Sequence, residues 1–223
     1  MQLRIDIDPV EAHVRIGREP VALDGILTVP PQPRGVIVLL YGDAGIRHAA
    51  PPPSLVDNLR EAGLATLHVN LLTRRELAED VFTKHLRFDV RRQAQRLPII
   101  LAWLRDQPWA AGLPVSCLAT GAAGAAALIA DAASPGALHA IALWGGRPDL
   151  VGRDLAAVAA PSLLLVEAHN PALLQLNRCA LPLLGAERGL EVLRDPDELA
   201  PLLLAWLEGQ GAALGAERAV GAV

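Results

Sequence analysis

A serine or cysteine nucleophile needs a histidine to take its proton and an acid to orient that histidine, and this chain offers few residues for such a set. Its serines are Ser54, Ser116, Ser134 and Ser162, its histidines His13, His48, His68, His85, His139 and His169, and its cysteines Cys117 and Cys179. The spacing that best suits a nucleophile is Leu118-Ala119-Thr120-Gly121-Ala122-Ala123-Gly124, where an apolar run passes straight into a helix through small residues. A strand-turn-helix elbow has the pattern small-x-nucleophile-x-small. Here it reads Ala119-Thr120-Gly121-Ala122-Ala123, with Gly121 in the nucleophile's place. The tip of such an elbow is strained, commonly with positive φ, and glycine adopts that backbone without steric cost. Close helix-sheet packing also requires small residues; the position after a central strand favours the elbow. No serine lies on it, and no histidine follows the last expected strand.

The elements that would position these residues alternate. Val36 to Leu40 is a short β-branched apolar run between turn residues and reads as a buried strand, followed by a helix from Leu55 to Ala62 that stops at Gly63. Leu64 to Asn70 is the next strand. After a charged connection, Val90, Ala94, Leu97, Leu101 and Leu104 recur at helical spacing over Val90 to Asp106, with Pro98 set to kink or restart the helix. Then come a strand at Val115 to Ala119, a helix at Gly121 to Ala130, and strands at Ile141 to Trp144 and Leu163 to Glu167. A helix at Ala172 to Leu181, a short strand at Glu191 to Leu193 and a helix at Pro196 to Glu208 complete the series. Fully apolar strands alternating with helices predict a mostly parallel sheet covered on both faces, with Ala12 to Ile16 and Val21 to Thr28 as an antiparallel edge pair. Residues 1–208 read as one domain and 209–223, rich in Gly and Ala, as a flexible C-terminal tail.

Composition narrows the partners. A hydrophobic content of 52% suits one sizeable core, and a formal charge of −4 argues against nucleic acid, whose phosphates call for a basic face. Arg74, Arg75, Arg91, Arg92 and Arg96 cluster, but acidic residues are interleaved with them, which reads as a solvated helical surface. The first nine residues lack an apolar leader core and no apolar run reaches membrane-spanning length, so a cytoplasmic protein that does not enter a membrane is expected. The cysteines, without a CxxC pair, read as two buried reduced thiols.

Several stretches in one order resemble the dienelactone hydrolase-like members of the α/β-hydrolase superfamily. They are Leu23-Asp24-Gly25, Glu61-Ala62-Gly63-Leu64-Ala65-Thr66, Leu71-Leu72-Thr73, Leu86-Arg87-Phe88-Asp89, Gly145-Gly146-Arg147-Pro148-Asp149-Leu150 and Leu176-Asn177-Arg178. The resemblance, from about Val21 to Glu208, implies a three-layer α/β sandwich. It also implies a Ser or Cys on the elbow, an Asp after the next-to-last strand, a His after the last strand, and a His-Gly opening to the oxyanion loop. At these positions the chain carries Gly121, Asn170, the shortened Arg194-Asp195-Pro196, and Tyr41. The degenerate triad points to a pseudoenzyme that has lost Ser/Cys-His-Asp hydrolysis and binds a small ligand in the vestigial cleft, or a protein partner or second copy of itself. The alternative is a hydrolase of small esters or lactones that uses a non-standard residue.

Ligands bind such sheets at the carboxyl ends of the strands. Thr120 and Cys117, beside the elbow tip, and His169 are the substitute catalytic candidates. Asp43, His48, Trp144 and Arg147 are the ligand-binding candidates, with surface roles, core packing for Trp144 and an Arg147–Asp149 ion pair as the plainer alternatives. No cofactor or metal is expected. The stripe Leu199, Leu202, Leu203 and Trp206 is a candidate contact surface or part of the core.

Overall fold

Apolar runs dense in branched residues form the interior strands, because only a strand covered on both faces can bury every side chain it carries. The computed structural model describes residues 10–41 and 53–220. Its strands are β1 (Val10–Arg18), β2 (Val21–Val29), β3 (Gly35–Tyr41), β4 (Leu64–Asn70), β5 (Val115–Thr120), β6 (Ile141–Trp144), β7 (Ser162–Glu167) and β8 (Arg188–Leu193). They form one eight-stranded sheet in the order β1-β2-β4-β3-β5-β6-β7-β8. β1 and β2 join antiparallel, and β3 to β8 pair in parallel with their neighbours. This is the α/β-hydrolase-type sandwich.

The helices are α1 (Pro53–Glu61), α2 (Arg74–Thr83), α3 (Val90–Ala94), α4 (Leu97–Arg105), α5 (Gly121–Ala133), α6 (Pro171–Ala180) and α7 (Leu199–Val220). On one face of the sheet α3, α4 and α5 close over Val36, Val38, Leu40, Cys117 and Ala119. On the other, Leu55 and Leu59 of α1 and Leu199 and Leu203 of α7 cover Ile37, Leu39, Tyr41 and Leu118. The Leu199 and Leu203 end of the C-terminal stripe is therefore core, each 1% exposed, with Leu202 and Trp206 partly buried beside it.

Two expectations are corrected. The charged connection after β4 contains the helix α2. Pro98 restarts the long helix, one of the two outcomes expected of it, so α3 and α4 are separate, with proline in the first turn of α4, where its missing N–H costs nothing. Cys179 is exposed, not buried; both thiols are free. The helix α7 runs on through residues 209–220, the stretch expected as a loose tail. Among the described residues no helix is long and apolar enough to cross a membrane, and no three His, Cys, Asp or Glu residues gather as metal ligands would.

The arginine cluster needs a further correction, because Arg96 is buried. Glu76 Oε2 accepts the Thr73 N–H at 2.8 Å and the Thr73 hydroxyl accepts the Glu76 N–H at 3.3 Å, a capping box that starts α2. Arg96 then donates to both carboxylate oxygens, at 2.5 and 2.7 Å, and to the Leu71 carbonyl at 2.7 Å, while Arg92 adds a bond of 2.6 Å. One buried carboxylate thus ties the end of β4 to α2 and to the start of α4.

Burial alone would raise the Glu76 pKa. The Arg96 and Thr73 hydrogen bonds and the Arg96 charge outweigh it and hold the carboxyl at about 2. A depressed folded-state value means that this stabilisation is complete above the ordinary value of 4.5 and is lost as pH falls toward 2. Glu76→Gln, which leaves Arg96 buried without its counter-charge, should lower unfolding stability by about 3–5 kcal/mol in urea titrations at pH 7. The gap between wild type and variant should narrow as the titrations are repeated from pH 5 downward.

Candidate functional site

β5 runs into α5 with no residue between them: Thr120 ends the strand and Gly121 begins the helix. Gly121 has φ +52°, the left-handed region expected of an elbow tip, and a β-carbon built there would meet nothing within 4 Å. The tip is braced from the next connection, where the Arg147 N–H donates to the Gly121 carbonyl at 3.0 Å. Gly145, at φ +59°, and Gly146 make the turn that carries Arg147 there. A β-carbon on Gly146 would stand 2.7 Å from Leu143 Cβ, so this turn admits no side chain. Behind it the buried Asn177 donates to the Gly146 carbonyl at 3.1 Å and to Leu173 O at 2.9 Å. The Gly145-Gly146-Arg147 and Leu176-Asn177-Arg178 stretches therefore meet in space and hold the elbow.

Register places some candidates together. Thr120 pairs with Trp144 across β5 and β6, and Tyr41 pairs with Asn70 across β3 and β4, all at the carboxyl edge. Tyr41 and Trp144 face the α1 and α7 side, and strand alternation from Leu118 puts Thr120 there too. Thr120 is half-buried and occupies the N-cap position of α5 without a side-chain capping bond.

Other candidates are drawn elsewhere. Cys117 faces the opposite side of the sheet, and burial pushes its thiol far above the ordinary range, so it is no ready nucleophile. The side chain of His169 is 83% exposed, its Nε2 lying 3.6 Å from Glu167, too open to serve as a seated base. Asn170, where the resemblance expects the acid, caps α6: its Oδ1 accepts the Leu173 N–H at 3.1 Å. Arg147 is held by Asp149 through two bonds of 2.8 and 2.7 Å. After β8 the chain turns at once through a second capping box, Glu198 accepting the Arg194 and Asp195 N–H groups at 2.8 and 3.4 Å. Asp43 and His48 lie outside the described residues.

Two residues not singled out from sequence join the row. His68, two residues before Asn70 on β4, meets the Tyr41 ring edge-on at a centroid separation of 4.6 Å. Among the described residues, Tyr41 Oη, His68 Nε2 and Asn70 Nδ2 are buried without a hydrogen-bond partner. Burial raises the tyrosine pKa and lowers that of the histidine to about 4, so both are neutral at pH 7. A histidine and an asparagine toward the end of the buried run Leu64 to Asn70 were the signal for this cluster.

No family model matches the chain. A Mycobacterium tuberculosis protein that carries the provisional name phosphoribosyl transferase is 36% identical over 170 residues, which cover 76% of this chain and 38% of that protein. The chain thus spans well under half the length of the curated relatives it matches. Among solved structures, dienelactone hydrolase from Anabaena variabilis matches with a TM-score of 0.83 and 32% identity, over 90% of this chain and 98% of the other. Est1E from Butyrivibrio proteoclasticus matches with a TM-score of 0.71 over 90% and 99% of the two chains; at 10% identity that is a likeness of fold alone.

Gly121 at the elbow tip and Gly146 in the turn that braces it should respond differently to a methyl group. Gly121→Ala has room for its Cβ and should lose about 1–2 kcal/mol from the left-handed backbone alone. Gly146→Ala, which must move Leu143, should lose more; urea unfolding of the two variants measures the difference.

Proposed function

The chain belongs to the dienelactone hydrolase-like family of the α/β-hydrolase fold, and from that premise we propose that it is a pseudoenzyme, which does not carry out Ser/Cys-His-Asp acyl transfer and acts by binding a small ligand at the carboxyl edge of its sheet. The observation that carries the reading is Gly121: the elbow tip has the backbone of a nucleophile position and no side chain. The remaining roles are equally unserved. Asn170 is spent on capping α6, and the turn after β8 is closed by a capping box, with arginine, aspartate and proline where a histidine would stand. Members of a triad act as a unit, and loss of one costs nearly as much as loss of all, on the order of 10⁶ in turnover for a serine protease.

The ligand would lie along the row Asn70, Tyr41, Thr120 and Trp144, where aromatic surface adjoins uncharged polar atoms. A protein contact is a second reading, favoured by one observation. Val81, Phe82 and Phe88 are 59%, 86% and 57% exposed, and the two phenylalanines are the only ones in the chain. A solution mass above that of one chain, restored to it by Phe82→Ser, would support that reading for a second copy of this protein.

A fluorophosphonate probe should leave the pure protein unlabelled, and Gly121→Ser should stay unlabelled because the hydroxyl gains no base. Stoichiometric labelling of the wild type would defeat the proposal. So would nitrophenyl ester turnover that disappears in Thr120→Val, which would instead support a hydrolase with a non-standard residue.

A further inference from the structure

Of the other buried polar atoms that lack partners among the described residues, Trp109 Nε1 stands alone in the turn Pro108–Ala110, and three more differ in kind from those of Tyr41 and His68. Gln93, Asp131 and Asn177 each leave one atom unmatched while the other clamps the backbone: Gln93 holds Leu86 and Arg87, Asp131 holds Ala159 and Ala160, and Asn177 holds Gly146 and Leu173. Tyr41 Oη and His68 Nε2 have no such occupation among the described residues. Asn70 fixes its own orientation through the bond its Oδ1 accepts from the Leu72 N–H at 2.8 Å, which leaves Nδ2 as an uncommitted donor on the residue that pairs with Tyr41. Interior polar groups are seldom left unmatched, and a set of three on adjacent strands at a ligand-binding edge indicates a shared partner.

We infer that Tyr41, His68 and Asn70 form a subsite for a neutral carboxamide group, entered along the row from Thr120 and Trp144. The inference rests on the ligand-binding reading above and names the chemistry of the ligand. The complementarity is atom by atom. Asn70 Nδ2–H and Tyr41 O–H supply two donors to one carbonyl oxygen, and His68 Nε2, with its proton on Nδ1, accepts from the ligand N–H. A carboxylate would bring a charge to a place with no cation among these groups and a histidine that stays neutral, so desolvation excludes it. An ester offers the carbonyl but no donor for the imidazole.

The test is a titration of the whole protein with acetamide, methyl acetate and acetate, followed by the imidazole nitrogen resonances of His68 and the side-chain amide of Asn70. Acetamide should shift both saturably and hold His68 in the Nδ1–H tautomer; acetate should move neither, and methyl acetate should bind more weakly. Tyr41→Phe, which removes one oxygen and keeps the ring, should weaken acetamide about fivefold, the loss of one hydrogen bond. Resonances that stay fixed at saturating acetamide, or an ordered water bound to all three groups that acetamide does not displace, overturn the inference. Either result in a protein that the fluorophosphonate leaves unlabelled removes the subsite and keeps the non-catalytic reading. Labelling together with an acetamide response does the reverse.

Discussion

The passage of β5 into α5 without a connecting residue constrains everything around it. A chain can reverse that sharply only by entering the left-handed region, and Gly121 does so at φ +52°. The helix that follows is pressed so closely to the sheet that Ala122 to Ala127 are buried at alanine and glycine size. A β-carbon on Gly124 would stand 3.0 Å from Leu143. Larger side chains there would lift α5, move Gly121, and break the bond its carbonyl accepts from Arg147.

A second constraint works at a distance from the elbow. The Glu76 carboxylate is taken out of water, a cost repaid only because Arg96, Arg92 and the Thr73 N–H satisfy it from three directions. Its partners lie at the N-cap of α2, in α3 and at the start of α4, so the Glu76–Arg96 pair helps to specify how α2 and α4 sit beyond the end of β4. That strand end is where Asn70 begins the turn held by Leu72. The polar cluster with Tyr41 and His68 is therefore positioned partly by a carboxylate that takes no part in it.

The succession of strands and helices along the chain and the layers they form were legible in the sequence because they depend on apolar runs and periodicity, which local composition records; the crossing of β3 and β4 in the sheet was not. So was the elbow, since only small residues tolerate it. The capping box Thr73-x-x-Glu76 carried a signal for α2, but surrounding charges masked it: a carboxylate and arginines look the same whether solvated or paired inside. Burial of Arg96, exposure of Cys179 and the use of Asn170 as a cap are set by which faces meet, and single residue types do not encode that. His68 and Asn70 became meaningful only through register, when parallel pairing set them beside Tyr41.

The short turn between β8 and α7 acts as a stiff coupling. Its backbone at Arg194 and Asp195 is committed to the Glu198 carboxylate, which accepts both N–H groups at the start of the last helix. The end of the last strand and the beginning of α7 therefore move as one piece, and a displacement of that helix is passed directly to the edge of the sheet.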